Sequence, residues 1–395
     1  MIERALAREL REAARQFPVV TVFGPRQSGK TTLVRATFPD KPYFSLEYPD
    51  VREVARADPR GFLAEAKEGA ILDEVQRLPE ILSYLQGVVD ERGRPGMFVL
   101  TGSHQPRLHE AVGQTLAGRT AILSLWPFSL VELRQYGRHW TAFELVVRGF
   151  FPRVHEEDIE PHRFYGAYLQ TYVERDVRAL INLRDLSQFQ QFLVLLAGRI
   201  GQVVNFTSLA NDVGVSATTI RNWLNVLKAS FVVFELPPWS RNVRKRVIRS
   251  PKIYFTDVGL AAYLLRIRTA EQAARDPLRG NLYENLVIAD IVKGALNRGI
   301  RPELYFFRDS HGNEVDLLVR EHGVLVPIEI KSAATFSTSF LRGLEKFRAL
   351  GIEETAPGFV LYDGEQRFQV RGVRVLNPLD LEDPWETVTA PADGD

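Results

Sequence analysis

One eight-residue stretch constrains the fold of this chain more than any other. Residues 24–31 read G-x-x-x-x-G-K-T, after an apolar run at 18–23 and before a helix-like segment at 30–38. In this pattern the glycines let backbone N–H groups close on phosphate oxygens, Lys30 reaches the β- and γ-phosphates, and the Thr31 hydroxyl helps to hold Mg²⁺. The sequence therefore predicts a loop that binds ATP and Mg²⁺. Its predicted nucleotide-binding residues are Gly24, Pro25, Arg26, Gln27, Ser28, Gly29, Lys30, Thr31 and Thr32.

A pair of carboxylates follows the next apolar run. Residues 69–72 read as a short buried strand, and Asp73 and Glu74 come directly after it. Asp73 is predicted to bind Mg²⁺ through water, and Glu74 is predicted to polarise the water that attacks the γ-phosphate. The two motifs together predict an ATP-hydrolysing site.

A third apolar run, at residues 96–100, leads into hydroxyl side chains. Ser103 or Thr101 either lies beside the γ-phosphate as a sensor or only caps the following turn. A fourth run reads as a strand at 120–125. Strands that alternate with helices predict an α/β core, with a parallel sheet that carries helices on both faces.

Composition excludes several classes of protein. The 395 residues include no cysteine, which excludes disulfides and thiolate metal sites. The net charge is +1, so any surface for nucleic acid must be local. No apolar run approaches the roughly 18–20 residues of a membrane span, and residues 1–10 read as a charged amphipathic helix and not as a signal peptide. We expect a soluble, cytoplasmic protein that does not contact a membrane.

Several motifs resemble those of one prokaryotic family. They read G-P-R-Q-S-G-K-T-T-L at 24–33, I-L-D-E-V-Q at 71–76, L-T-G-S at 100–103 and L-A-G-R-T at 116–120, with further matches at 172–177 and 252–260. The chain resembles the AAA-type ATPases that carry a C-terminal domain of unknown function. The resemblance implies a homo-oligomer, typically a hexameric ring, in which Arg119 reaches the γ-phosphate bound by a neighbouring subunit. The alternative for Arg119 is an ordinary surface arginine on a turn.

The middle of the chain, residues 156–268, is predicted to form a helical lid and a winged-helix domain. Residues 207–224 read as a helix-turn-helix. Thr207 and Ser216 are the predicted N-caps, and Gly214 makes the turn. The strands of a wing are predicted to follow.

Basic residues concentrate in this middle region. Between residues 216 and 252 the chain has eight basic residues and one acidic residue, Glu235. The local excess favours contacts to DNA phosphates. The alternative is a wing that packs on another domain or subunit. The predicted DNA-binding residues are Arg221, Lys228, Arg241, Arg244, Lys245, Arg246 and Arg249.

A hairpin in the last third of the chain carries acids and a lysine at one place. The strands are predicted at 314–319 and 324–331. Residues two apart in a strand share a face, so Glu329 and Lys331 point the same way. The short turn brings Asp316 opposite Glu329.

With Glu284, in the first turn of a predicted helix, this hairpin resembles the PD-(D/E)xK nuclease superfamily. The resemblance implies that Asp316 and Glu329 bind one or two Mg²⁺ or Mn²⁺ ions, and that Glu284 adds a metal contact. Lys331 would position the attacking water and stabilise the phosphate. The alternative is a domain that keeps these residues but only binds DNA ends or forks.

The sequence thus predicts an α/β chain in four parts. These are a P-loop AAA-type core at 1–155, a helical lid and winged helix at 156–268, a PD-(D/E)xK nuclease-like domain at 269–380 and a flexible acidic tail at 381–395. The favoured function is an ATP-driven motor on branched, forked or broken DNA, and cleavage by the C-terminal domain is left open. The alternative is a nucleotide-gated switch or effector in defence or stress.

Overall fold

The computed structural model describes residues 2–103, 112–173, 186–240, 250–352 and 354–390. Internal contacts divide the chain into two compact units. The first consists of Met1–Phe128, Ala229–Phe231 and Leu296–Ile300, and the second of Ser129–Lys228, Val232–Ala295 and Arg301–Asp395. The sequence placed the end of the first domain at residue 155, whereas this division places residues 129–155 in the second unit.

The first unit is built on a five-stranded sheet. Its strands are β1 (Val19–Gly24), β2 (Tyr43–Ser45), β3 (Ala70–Asp73), β4 (Phe98–Ser103) and β5 (Thr120–Ser124). They lie in the order β2-β3-β4-β1-β5, and every neighbouring pair is parallel. The parallel sheet predicted from the sequence is therefore confirmed, and β2 is a strand that the sequence did not reveal.

Helices pack on the two faces of this sheet. They are α1 (Leu6–Gln16), α2 (Lys30–Thr37), α3 (Pro49–Ala57), α4 (Pro59–Glu65) and α5 (Ile81–Arg92). Phe23 of β1 belongs to the buried cluster that includes α4 and α5, and Val22 belongs to the cluster that includes α1 and α2. Successive side chains of a strand point to opposite faces, so a strand that is apolar at every position is buried on both sides.

The second unit begins with a helical region and a small antiparallel sheet. Its elements are α6 (Leu130–Leu133), α7 (Ala142–Arg148), α8 (Pro152–Glu156), α9 (Pro161–Tyr168), α10 (Leu186–Ala197), α11 (Phe206–Val213), α12 (Ala217–Ala229), β6 (Val233–Leu236), β7 (Lys252–Phe255), α13 (Val258–Leu264) and α14 (Ala270–Arg275). Strands β6 and β7 pair antiparallel.

Helices α11 and α12 are joined by a tight turn, as the sequence predicted. Gly214 follows α11 with a φ of 77°, a left-handed conformation that suits glycine. Ser216 caps α12, because its Oγ accepts the N–H of Thr219 at 3.0 Å. The other predicted cap, Thr207, is wrong: Asn205 caps α11 by accepting the N–H of Ser208 at 3.0 Å.

The unit ends in a mixed sheet. Its elements are α15 (Arg279–Leu296), β8 (Glu303–Arg308), β9 (Glu314–Glu321), β10 (Val324–Lys331), α16 (Arg342–Arg348), β11 (Phe359–Tyr362), β12 (Phe368–Val370), β13 (Val373–Leu376) and α17 (Pro384–Thr389). The strand order is β12-β13-β11-β10-β9-β8. Strand β10 is thus an inner strand, antiparallel to β9 and parallel to β11.

The end of the described chain differs from the flexible tail that the sequence predicted at 381–395. Residues 384–389 form α17, and its Trp385 and Val388 side chains are buried. Gly294 of α15 makes room for this helix, since a Cβ there would lie 2.5 Å from Cβ of Trp385. Apolar burial overrides the acidic composition here. Within the described ranges, no helix is long and apolar enough to cross a membrane.

Candidate functional site

The phosphate-binding loop joins β1 to α2, as predicted. Gly24 ends β1 where the Leu125 carbonyl passes so closely that a Cβ on Gly24 would lie 2.0 Å from its oxygen. Gly29 precedes α2 with a φ of 88°. Both positions therefore require glycine, and the second aims the helix N-terminus into the loop, where anions bind well.

Lys30 lies folded into this loop. Its Nζ donates to the carbonyl oxygens of Gly24 at 3.1 Å and Pro25 at 2.8 Å. Burial lowers the pKa of Lys30 to about 8. The Ser28 side chain is also buried, and its Oγ makes no hydrogen bond within the described part of the chain. An enclosed ammonium beside an unsatisfied hydroxyl fits the phosphates of a nucleotide.

The Asp73 carboxylate, at the end of β3, accepts hydrogen bonds from three hydroxyl groups. Thr31 Oγ1 lies 3.0 and 3.1 Å from the two carboxylate oxygens. Tyr43 donates to Oδ2 at 2.8 Å, and the Thr101 hydroxyl donates to Oδ1. The loop threonine and the strand-end aspartate therefore lie at one point, where oxygen ligands suit Mg²⁺. Thr101, predicted as a sensor or turn cap, donates to this aspartate and helps to orient it.

Glu74 is linked to the end of β4 through a glutamine. Gln76 Nε2 donates to the Glu74 carboxylate and to Ser103 Oγ, the latter at 2.9 Å. Glu74 itself has a φ of 59°, a left-handed conformation that is uncommon for this residue type. The chain of contacts fixes the carboxylate that the sequence assigned to water activation.

An arginine far from the motif in sequence braces the loop. Arg4 Nη1 donates to the Ser28 carbonyl at 2.5 Å, and Nη2 donates to the Trp126 carbonyl at 2.6 Å. Its guanidinium lies 4.9 Å from the centroid of the Phe128 ring. Arg4 thus ties the loop to the chain that follows β5. The sequence carried no signal of this role.

Arg119 lies at the amino-terminal end of the parallel strands, whereas the loop lies at their carboxyl-terminal end. Its carbonyl accepts the N–H of Val19 at 3.1 Å, at the start of β1, whereas the loop follows Gly24 at the end of that strand. Val19 and Gly24 are five positions apart in the strand, which corresponds to about 17 Å. The Arg119 side chain forms a two-pronged ion pair with Asp90, with Nη2 3.0 Å from Oδ2. Arg119 therefore does not reach the loop of its own chain.

The C-terminal hairpin brings Asp316, Glu329 and Lys331 together. Strands β9 and β10 meet in a two-residue turn at His322 and Gly323, with φ values of 49° and 86°. The register pairs Leu317 with Ile328, so Asp316 and Glu329 follow at the next position, as predicted.

Lys331 Nζ lies 2.6 Å from Glu329 Oε1 and 3.3 Å from Asp316 Oδ2, and that Oδ2 also accepts the N–H of Ile330 at 2.8 Å. Burial and the charge of Asp316 raise the pKa of Glu329 to about 8. Although burial opposes it, the two acids hold the pKa of Lys331 above its ordinary value. Glu329 Oε2 is buried and accepts no hydrogen bond from any residue that the structure describes.

Glu284, on α15, has different partners. Its Oε1 accepts hydrogen bonds from Lys252 Nζ at 3.1 Å and from the Tyr254 hydroxyl. Lys252 Nζ also lies 2.6 Å from Glu314 Oε1. Burial and the nearby Asp316 raise the pKa of Glu284 to about 7.

The three predicted metal ligands of this domain do not form one site. Among the described residues, no group of three or more histidine, aspartate or glutamate side chains is placed to hold a metal ion. The three-carboxylate site predicted at Glu284, Asp316 and Glu329 is therefore not assembled, because Lys252 and Tyr254 engage Glu284 while Lys331 engages the other two.

A protein of Mycobacterium tuberculosis is similar to this chain over almost all of its length. The uncharacterized protein Rv2008c is 33% identical over 388 residues, which cover 96% of this chain and 84% of the relative. This chain belongs to the Rv2008c family. The uncharacterized protein MJ1637 of Methanocaldococcus jannaschii is 22% identical over 402 residues, covering 87% of this chain and 83% of the relative.

Three sequence families match successive parts of the chain. Residues 16–134 match a family described as AAA domain, and residues 140–271 and 279–381 match two domains of unknown function, DUF8612 and DUF4143. The predicted AAA-type core with a C-terminal domain of unknown function is confirmed. The nuclease-like assignment gains no support from these matches.

A solved structure, the Walker-type ATPase paby2304 of Pyrococcus abyssi, is similar with a TM-score of 0.43 and 15% identity. The similarity covers 66% of this chain and 94% of that chain. At this TM-score the family assignment rests on the sequence relatives.

The basic residues of the middle region are largely engaged or lie outside the described residues. Lys228 pairs with Glu235 at 2.9 Å, and the Arg221 guanidinium lies 4.1 Å from the centroid of the Phe206 ring. Lys252, which contributed to the charge count, is buried and contacts Glu284 and Glu314. Of these contacts, only the burial of Lys252 lowers the local basic excess, because Glu235 is already in the count and the ring contact leaves Arg221 charged. The predicted DNA-binding residues outside the described ranges are Arg241, Arg244, Lys245, Arg246 and Arg249.

Proposed function

We propose that the chain is an ATPase that hydrolyses ATP at the loop between β1 and α2. The contact between Thr31 and Asp73 carries this proposal, because it joins the two predicted Mg²⁺-binding groups at 3.0 Å. Lys30 would hold the phosphates, and Thr31 and Asp73 would hold Mg²⁺. The metal would neutralise the charge that develops on the phosphoryl oxygens.

Glu74 is the proposed group that orients and polarises the attacking water. Its link through Gln76 to Ser103 supports this role, because a general base works from a fixed position. Ser103 would report the presence of the γ-phosphate to the same network.

Two substitutions separate binding from hydrolysis. Lys30→Ala should lose ATP binding, and Glu74→Gln should bind ATP but trap it, measured as retained nucleotide and released phosphate. Glu80→Gln is the matched control, since the Glu80 side chain is 60% exposed and pairs only loosely with Arg56 at 4.0 Å. Normal phosphate release by purified Lys30→Ala would sink the proposal.

We propose further that active subunits associate, in a ring such as a hexamer, and that Arg119 completes a neighbour's site. Arg119 lies at the end of the strands opposite the loop, so it can act on a bound nucleotide only in a neighbouring subunit. This role would require Arg119 to leave Asp90. Mixing the Arg119→Ala and Glu74→Gln variants should restore ATP hydrolysis at some interfaces. At these interfaces the unchanged Glu74 of one subunit meets the unchanged Arg119 of its neighbour. If mixing assembled variants restores nothing, Arg119 has only the structural pairing seen here.

A second proposed activity is metal-dependent cleavage of a phosphodiester bond by the C-terminal domain. The proposed substrate, both of this cleavage and of the ATP-driven motor, is DNA. The arrangement of Asp316, Glu329 and Lys331 at the end of the hairpin favours it. The buried, unsatisfied Glu329 Oε2 fits a cation, which Asp316, Glu329 and the Ile330 carbonyl would hold. When bound, Mg²⁺ or Mn²⁺ would polarise the phosphate, and Lys331 would place the attacking water.

Cleavage should require Mg²⁺ or Mn²⁺ and should disappear in Asp316→Asn while ATP hydrolysis persists. Glu303→Gln is a matched control on β8, because its side chain is 58% exposed. Substrates should include duplex, forked and nicked DNA. If no substrate is cut but Asp316→Asn weakens DNA binding, the domain is a binding module.

DNA binding through the middle region remains our proposal on the basis of local charge. Neutralising Arg244, Lys245 and Arg246 together should flatten the salt dependence of affinity by up to roughly one phosphate contact per charge. Unchanged affinity at two salt concentrations would assign these charges to a protein interface. That outcome would favour the nucleotide-gated switch.

A further inference from the structure

A buried lysine from the middle region lies inside the C-terminal carboxylate cluster. Lys252, on β7, is 3% exposed, and its Nζ contacts Glu284 Oε1 at 3.1 Å and Glu314 Oε1 at 2.6 Å. The ring centroid of Phe306 lies 5.5 Å from the same Nζ. A lysine is rarely buried this completely unless carboxylates compensate its charge. Lys252 is therefore part of this cluster and not of a solvated basic surface.

Residues two apart on β7 act on the same oxygen. Lys252 and Tyr254 share a face of the strand, and both donate to Glu284 Oε1. Glu284 is thus held by a cation and a hydroxyl before any ligand arrives. Although burial lowers it, the charges of Glu284, Asp316 and Glu314 together keep the pKa of Lys252 above its ordinary value.

The charges of the cluster do not balance. Four carboxylates, at Glu284, Glu314, Asp316 and Glu329, face the two lysines Lys252 and Lys331. Both lysines are engaged, so with all four carboxylates ionised the formal charge is two negative units, which one divalent cation would neutralise. Burial and the charge of Asp316 raise the pKa of Glu284 and of Glu329, so this charge is reached only as these two acids lose their protons. Arg308, whose Nε lies 3.8 Å from Glu314 and whose side chain is 54% exposed, compensates little because solvent screens it.

The unsatisfied oxygen of the cluster belongs to Glu329, the carboxylate that pairs with Lys331. Glu329 holds the Lys331 ammonium group on Oε1 and keeps a buried Oε2 without a hydrogen bond from the described residues, whereas Glu284 Oε1 accepts from both the Lys252 ammonium group and the Tyr254 hydroxyl. A divalent ion on Glu284 Oε1 would have to displace these two donors, whereas an ion on Glu329 Oε2 would displace no donor of the described residues. The two ends of the cluster are therefore not equivalent for metal binding.

We infer that Lys252 is a built-in cation that takes the place of a second metal ion beside Glu284, so that the site binds a single divalent cation at Asp316 and Glu329. This inference rests on the metal site proposed above. It makes Glu284 a positioning residue that fixes Lys252 and not a metal ligand. It also makes β7 a direct support of the site.

Mn²⁺ binding to the full-length chain tests the inference without relying on activity. The titration uses Mn²⁺ alone, followed by the electron paramagnetic resonance signal of the free ion, in an Asp73→Asn background without nucleotide. The chain with Lys252 unchanged should bind one Mn²⁺ ion, and the further substitution Asp316→Asn should abolish this binding. Lys252→Met should admit a second ion, and Lys228→Met, a lysine paired with Glu235 at the surface, should not.

Two further variants keep the test decisive should Lys252→Met fail to fold. Glu284→Gln removes one charge of the cluster but no metal ligand, so it should lower Mn²⁺ affinity much less than Glu329→Gln, which should lower it by about tenfold or more. Two ions bound with Lys252 present, or an equal loss in both glutamine variants, would overturn the inference alone. No Mn²⁺ bound at all would overturn the proposed metal site together with it.

Discussion

Removal of the Arg4 side chain should loosen the nucleotide-binding loop. Arg4 is 8% exposed, and its guanidinium donates at 2.5 Å to the Ser28 carbonyl and at 2.6 Å to the Trp126 carbonyl. A hydrogen bond from a charged donor contributes about 1.5–3 kcal/mol. Because water can reach the freed carbonyls in part, we take the lower end for both bonds. Arg4→Ala should therefore destabilise the loop by about 3 kcal/mol.

Hydrogen exchange read by mass spectrometry measures this effect locally. Opening that is easier by about 3 kcal/mol should speed amide exchange in residues 19–31 on the order of 100-fold, with a parallel loss of ATP affinity. Arg15→Ala is the matched control: its partner Glu12 lies at 3.0 Å, but the two side chains are 75% and 48% exposed. The control should change stability by less than about 0.5 kcal/mol. Equal rates of amide exchange at residues 19–31 in both variants would refute the proposal that Arg4 stabilises the loop.

Three other predictions follow from single contacts. ATP affinity should fall above pH 8, approaching tenfold per pH unit, since Lys30, whose pKa is about 8 in the free loop, must then take up a proton to meet the phosphates; a flat titration to pH 9.5 would contradict this. Trp385→Ala should lower the free energy of unfolding in urea by about 3–5 kcal/mol, because it leaves a cavity where α17 packs on α15. An unchanged free energy of unfolding would show that α17 is dispensable for stability. Gly343→Ala should weaken Mn²⁺ binding, because its Cβ would lie 2.4 Å from the Glu314 carbonyl oxygen and 3.2 Å from Glu329 Oε2, whereas Gly87→Ala, in open space on α5, should stabilise the chain by up to about 1 kcal/mol.

The sequence by itself determined the features that depend on neighbouring residues. The phosphate loop was predictable because its glycines, Lys30 and Thr31 lie within eight positions, and the apolar runs on either side announce strand and helix. The pairing of Asp316 with Glu329 was predictable for the same reason. A two-residue turn leaves a hairpin only one register.

Tertiary structure decided which distant side chains meet. Arg4 contacts carbonyls 24 and 122 positions away, and Lys252 contacts Glu284 across 32 positions, so no local pattern signals either pair. Lys252 was counted in the sequence as part of a basic surface, because charge composition does not show burial. The acidic residues near Trp385 likewise suggested a solvated tail. There the contact with Gly294 decides the outcome, since burying a large apolar side chain outweighs the preference of its charged neighbours for water.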